Sequence, residues 1–451
     1  MTPRRAADRD DVSAPKLDVT LRNATSGTLG ESGPDVWYCY DGDVVEQDHG
    51  DALSPRARSV RLPLTAATYG HAATLAFFDN LLLESDTRSE LARVNQRDSA
   101  DVSGLLGRVG AECAGAVSIR PLGAPAPATD TYRQFSQLEI DALFDERHGE
   151  RFLQAIMDSQ QVMSGVQRKL VFRSHADTWY LPLSGAASTH IVKRSSGRYD
   201  GLVANELACL RLLAACGLPV PSAAPLGPAL EWPDGSREPR SIVLKRYDRV
   251  AEHDVWMAAD RATLPTVTRL HQEDLCQITG RRPTAKYQSN GGPTFRDLAT
   301  VIRRYTVSPE IDLENALKVA VANICVGNGD AHGKNFSLLV DAEGNHHLAP
   351  FYDVVSTDVY PLLTPTFSMR FGYAERASEL SGRDVSRVAS DFGVGVTLVR
   401  GAVDSVTTAL RAALDGVLHD VEREIGIEMP VLAQIHMLVT SRVEQMRAVL
   451  V

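Results

Sequence analysis

Nine consecutive residues, Gly327, Asn328, Gly329, Asp330, Ala331, His332, Gly333, Lys334 and Asn335, break the helical part of this chain with three glycines and no large apolar side chain. An apolar helical stretch carrying Leu317, Val321 and Ile324 runs straight into them. Glycines at this density permit a tight loop in which small polar side chains face one point. Asp330 and Asn335 stand at the D-x-x-x-x-N spacing of a kinase catalytic loop. Phosphoryl transfer needs a carboxylate to orient the attacking hydroxyl and take its proton, with an oxygen ligand for Mg²⁺ close by. Ordinary turn chemistry also favours Asp, Asn and Gly, so the flanking sequence has to discriminate.

It does so in two places. Downstream, the alternating run 336–340 predicts a strand, the turn 341–344 reverses it, and 347–349 returns toward Phe351, Tyr352 and Asp353. Such a hairpin would land Asp353 next to Asn335. Two hard oxygen ligands and the phosphates of ATP suit Mg²⁺. Asp353 would then act as the second metal ligand, although no D-F-G sequence is present. Upstream, Lys193 ends the apolar strand of His190, Ile191 and Val192, like the lysine of a kinase strand β3. Glu206 on the following helix is placed to hold it. His332, His346 and His347 lack the spacing of a zinc site, so His332 is read as bracing the loop or touching phosphate.

Around these motifs the pattern changes along the chain. Runs at 17–21, 37–40, 169–172, 179–183, 190–193 and 242–244 read as short strands, with helices expected over 74–95, 137–144 and 202–216. The last should end at Gly217 and Pro219. Pro121 to Pro127 (PLGAPAP) reads as a linker. From about residue 260 the helical period dominates, apart from the hairpin. The expected divisions are a disordered tail at 1–15, a compact unit at 16–120, a linker at 121–135, a small lobe at 136–250 and a helical lobe at 251–451.

Composition narrows the class. The 451 residues are 44% hydrophobic and 23% charged, ordinary for a globular protein of two or three domains. A net charge of −10 argues against nucleic-acid binding through the bulk field of the chain. The six cysteines form no C-x-x-C pair and read as reduced thiols, hence a cytoplasmic location. No apolar run reaches membrane-spanning length, and residues 1–14 lack the apolar stretch of a signal peptide.

Taken in order, the motifs resemble the HipA family of toxin serine/threonine kinases. The matching stretches are SGVQRK (164–169), HIVK (190–193), NEL (205–207), KRYDR (245–249), QEDLCQ (272–277), KYQSNGGP (286–293), NGDAHGKNFSL (328–338) and APFYDVVS (349–356). FFDNLLLE (77–84) and CAGAVSI (113–119) match in the front segment. The resemblance implies an α+β, bilobal, protein-kinase-like fold with an additional N-terminal β-rich subdomain and a large helical C-terminal lobe. It implies Asp330 as catalytic base and Asn335 and Asp353 as Mg²⁺ ligands. Lys193 would hold the ATP phosphates, and Ser164, Gly165, Val166, Gln167, Arg168 and Lys169 would cradle them. Lys245, Arg246 and Tyr247 would form the adenine hinge. His332, Gly333, Lys334, Asn335 and Tyr352 would complete the nucleotide contacts.

The resemblance also implies an aminoacyl-tRNA synthetase, chiefly the glutamyl enzyme, as protein substrate. A HipB-like helix-turn-helix antitoxin would be the partner that brings DNA binding. Two positions depart from the family pattern. Val162 stands where the family has its self-phosphorylated serine, which leaves Ser164 or Ser159 as substitutes. Lys245 stands where family members can carry an acidic residue. Two other activities use similar motifs: a small-molecule kinase of the aminoglycoside phosphotransferase type, and a pseudokinase serving only as corepressor.

Overall fold

Leu17, Val19 and Leu21 alternate with Asp18 and Thr20, and this period of two puts the three apolar side chains on the buried face of a strand, Lys16–Leu21. The computed structural model describes residues 16–22, 24–47, 57, 59–124, 127, 129–145, 149–195, 199–227, 230–231, 237–251 and 264–450. The tail expected at 1–15 lies outside them. By contacts the chain falls into two units. The first is Met1–Ile191, Asp248–Glu273 and Leu339–Asn345, and the second is Val192–Tyr247, Asp274–Leu338 and His346–Val451.

In the first unit, Lys16–Leu21 pairs antiparallel with Ala24–Ser32 on one side and Val117–Pro121 on the other, and Asp35–Tyr40 closes the four-stranded sheet. The strand Ala24–Ser32 has no alternating apolar pattern and is not legible in the sequence. The stretch 74–95 is not one helix but two, His71–Phe78 and Ser85–Val94. Between them Leu81, Leu82 and Leu83 are all buried. The first helix tightens into a 3-10 turn, Asp79–Leu81, and the chain becomes extended only at Leu82, which breaks the helical run.

Further strands, Thr131–Phe135, Thr178–Leu183 and Lys169–His175, lie side by side in that order. Thr131–Phe135 is therefore a strand where the sequence reads as linker. The helix Gln137–Leu143 starts on a capping box between Ser136 and Glu139, and Gly149–Ser159 follows it. Residues beyond 248 return to this unit through an antiparallel pair, Arg249–Ala251 with Val267–Arg269. Its second strand, Val267–Arg269, lies in the part of the chain expected to be helical.

The second unit is mainly helical. Leu202–Ala215 is buried on nearly every face and ends before Gly217, as expected. Pro309–Val326, Val396–Ile425 and Pro430–Ala448 supply the long helices, with Phe295–Tyr305 and Gly382–Phe392 beside them. This unit's strands include a short antiparallel pair, Ser241–Lys245 with Ala223–Leu226, near the lysine strand His190–Arg194.

Candidate active site

The helix Pro309–Val326 stops at Gly327, whose left-handed backbone (φ 72°) turns the chain out of the helix. Asn328 is buried and donates from Nδ2 to Asn323 Oδ1 at 3.0 Å, while its own Oδ1 accepts the Asp330 N–H at 3.2 Å. The Asp330 carbonyl accepts from His332 N–H at 2.8 Å and from Asn335 Nδ2 at 3.2 Å. Asp330 is thus fixed through both of its backbone polar groups while its side chain is exposed. Because Asn335 uses its amide nitrogen on that carbonyl, its Oδ1 is left as the acceptor end.

The hairpin expected after the loop is present: Ser337–Val340 is followed by His346–Leu348, and Ala349 N–H donates to Ser337 O at 2.9 Å. It returns Tyr352 to the loop. The Tyr352 hydroxyl donates to Lys334 O at 2.7 Å and lies 2.8 Å from Ser337 Oγ, and burial raises its pKa. Asp353 comes next, in left-handed conformation (φ 58°), uncommon outside glycine and tolerated by Asp. Its Oδ1 accepts from Lys193 Nζ at 2.7 Å, and Lys193 also donates to Glu206 Oε1 at 2.6 Å. Lys193 is 5% exposed. Burial alone would depress its pKa, but the carboxylates of Asp353 and Glu206 outweigh it and raise the value.

Neighbouring residues of one helix tie these parts together. Glu206 holds Lys193. Asn205, fully buried, donates to Ser356 O at 2.9 Å and accepts from Ser356 N–H at 2.7 Å, fixing the chain three residues past Asp353. The segment 286–293 braces the catalytic loop itself. Lys286 O accepts from Gly333 N–H at 3.1 Å, and the Tyr287 hydroxyl donates to Asp330 Oδ1 at 3.0 Å. The Tyr287 ring meets the His332 ring edge-on, centroids 5.3 Å apart. His332 is buried, with that ring against it.

As to metal, among the described residues no group of three or more His, Cys, Asp or Glu side chains is placed to hold an ion. Asp353 and Asn335 offer a carboxylate and an amide oxygen, hard donors of the sort Mg²⁺ takes with few protein ligands beside phosphate oxygens. The donor chemistry fits.

A model of the HipA-like C-terminal domain matches residues 162–414, and one of the HipA N-terminal domain matches residues 17–120. This chain belongs to the HipA family. It is 33% identical to the putative kinase Y4mE of Sinorhizobium fredii over 80% of this chain and 83% of that protein. It is 27% identical to the serine/threonine-protein kinase toxin HipA of Shewanella oneidensis over 70% and 69%. A solved complex of HipA, HipB and operator DNA from Shewanella oneidensis MR-1 superposes with a TM-score of 0.75 at 21% identity, covering 96% of this chain and 99% of that one. The fold is therefore the mixed helix-and-sheet, kinase-like fold of HipA.

The remaining positions implied by HipA membership have distinct surroundings. In the first unit, Lys169 Nζ donates to Ser164 O at 2.7 Å and closes the loop over Gly165, Val166 and Gln167, with Val166 60% exposed. Ser164 Oγ donates to Glu84 at 3.1 Å, and Arg168 lies 3.4 Å from Glu90. Ser159 is 0% exposed, its hydroxyl donating to Ala155 O at 2.6 Å. Of the two serines considered for self-modification, Ser159 is therefore the buried one and Ser164 the partly exposed one.

In the second unit, Lys334 is buried in an ion pair with Asp274 at 2.9 Å, and Asp274 also caps the helix Leu275–Thr279. Lys245 is exposed, Arg246 is buried, and the Tyr247 ring lies 5.8 Å from that of Tyr352. No local pattern in the sequence marks Tyr287, Asn205 or Asp274 individually as site residues. The motifs that contain them, KYQSNGGP, NEL and QEDLCQ, were the available signal.

Proposed function

We propose that this chain is the serine/threonine protein kinase toxin of a type II toxin–antitoxin system, which moves the γ-phosphate of ATP onto a protein hydroxyl. The observation that carries the reading is the set gathered in the second unit. An exposed Asp330 carboxylate stands on a rigid loop with Asn335, and Asp353 is tied to the buried Lys193–Glu206 pair. In this reading the Asp330 carboxylate takes the proton of the attacking hydroxyl. The hydroxyl oxygen forms its bond to the γ-phosphorus as the bond to the β-phosphate oxygen breaks and ADP leaves. Asn335 and Asp353 would hold Mg²⁺, which when bound neutralises phosphate charge. Lys193 would face the phosphates, with Glu206 retaining it. For the loop 164–169, for 245–247 as the adenine hinge and for Tyr352, family membership supports the nucleotide roles.

The acceptor proposed is an aminoacyl-tRNA synthetase, the glutamyl enzyme first, so that phosphorylation blocks translation. A HipB-like helix-turn-helix antitoxin is the proposed partner, and DNA is reached only through it. The support is that the Shewanella HipA was solved together with HipB and operator DNA, and that a chain of net charge −10 gains from a basic partner on DNA. None of the six cysteines is in a disulfide, as suits a cytoplasmic location, and among the described residues no helix is long and apolar enough to cross a membrane. The test is γ-labelled ATP with Mg²⁺ and a panel of purified synthetases. Label on the glutamyl enzyme is expected. Label only on an aminoglycoside-type alcohol would identify a small-molecule kinase, and no transfer to any acceptor would identify a corepressor.

A further inference from the structure

The segment 286–293 touches the catalytic loop at three points, and the proposed chemistry does not yet use it. The Lys286 carbonyl holds Gly333. A Cβ on Gly333 would come within 2.7 Å of the Pro293 ring, so the far end of the segment packs flush against the same loop residue. Between these anchors the Tyr287 hydroxyl reaches Asp330 Oδ1 at 3.0 Å. The segment is itself stiff. Asn290 and Gly292 N–H both donate to Tyr287 O at 2.9 Å, and Gln288 N–H donates to Ser368 O at 3.0 Å. Ser368 in turn donates from its N–H at 3.0 Å and its hydroxyl at 2.7 Å to the carbonyl of Gly329, next to Asp330. The Tyr287 ring is gripped by the His332 ring edge and by Lys286 Nζ, 5.4 Å from its centre.

An aspartate side chain can turn about two bonds, and each contact it makes narrows that choice. A base that must meet a hydroxyl proton in one orientation loses rate whenever it samples others. A phenol hydrogen-bonded to one carboxylate oxygen restricts the rotamers of that carboxylate. We propose that Tyr287 is a positioning residue for phosphoryl transfer, its hydroxyl fixing the Asp330 carboxylate in the orientation that receives the proton. The inference rests on the phosphotransfer reading above.

The test uses the full chain and the variant Tyr287→Phe, which keeps the ring contacts and removes the hydroxyl. The probes are γ-labelled ATP with glutamyl-tRNA synthetase as acceptor, and ATP hydrolysis with water as acceptor. The variant is expected to lose about tenfold in kcat, less than loss of the base itself, with the KM for ATP and the thermal midpoint unchanged. In an Asp330→Asn background the same change is expected to add nothing further, because the group it positions is gone. A kcat within twofold of the unaltered protein would overturn the inference. So would an equal further drop in the Asp330→Asn background, or a fall in kcat matched by a raised KM and lower midpoint. If the unaltered protein transfers phosphate to neither acceptor, the phosphotransfer reading fails and this inference with it. An active protein indifferent to Tyr287→Phe removes this inference alone.

Discussion

Asp330 owes its position to a backbone bonded on both sides, through Asn328 at its N–H and through His332 and Asn335 at its carbonyl. Removing its carboxylate leaves those bonds in place. Asp330→Ala should therefore keep the fold and the thermal midpoint while turnover falls roughly 10²–10⁴-fold. A variant with near-normal turnover would remove Asp330 from its role. Asp353 differs, because its half-exposed side chain is already held by Lys193. Asp353→Ala takes away one hard oxygen donor and leaves Lys193 still paired with Glu206. Mg²⁺-dependent ATP binding should disappear in titration calorimetry. Heats that match the unaltered protein with and without Mg²⁺ would show that Asp353 holds no metal.

At the scale of elements, the sequence made some parts legible and others not, for identifiable reasons. The loop 327–335, the hairpin after it and the lysine strand announce themselves by glycine spacing and by alternation, both local signals. The Lys193–Glu206 pair was legible because strand and helix are consecutive. Ala24–Ser32 was not, because its strand character comes from pairing with Lys16–Leu21 and Asp35–Tyr40 and not from its own side chains. The burial of Ser159 and the reach of Tyr287 to Asp330 across 43 residues are tertiary facts with no local signature.

The turn 286–293 gives this distinction a test. A Cβ on Gly292 would fall 2.6 Å from the carbonyl oxygens of Ala285 and Tyr287, which are backbone atoms unable to swing aside. Gly292→Ala should cost about 1–3 kcal/mol of stability by overpacking. It should also lower turnover, since the same turn carries Tyr287. Denaturant unfolding checks the first effect, and an unchanged midpoint would mean the turn is looser than its contacts imply.

At the scale of the molecule, the first unit is assembled from stretches far apart in sequence, and a buried charge cluster joins them. Glu112, 0% exposed, lies 3.1 Å from the Arg249 guanidinium and 2.6 Å from that of Arg269, and also accepts from the Ser188 hydroxyl at 2.8 Å. Arg249 adds Asp248 at 2.9 Å and the carbonyls of Cys113 and Gly115, each at 2.8 Å. The motifs CAGAVSI and KRYDR are thereby the two halves of one interaction, which explains why a segment beyond residue 248 belongs with the front of the chain. Buried guanidinium groups are tolerable only while a carboxylate answers them. Glu112→Ala leaves two without their shared partner, and the expected loss is about 3–5 kcal/mol. Hydrogen exchange should accelerate along Val117–Pro121, and the urea midpoint should fall. Glu112→Gln keeps the shape and hydrogen-bonding oxygen but not the charge, so it should fall between the two. If both variants unfold at the same urea concentration as the unaltered protein, the cluster is not what holds the returning segment in place.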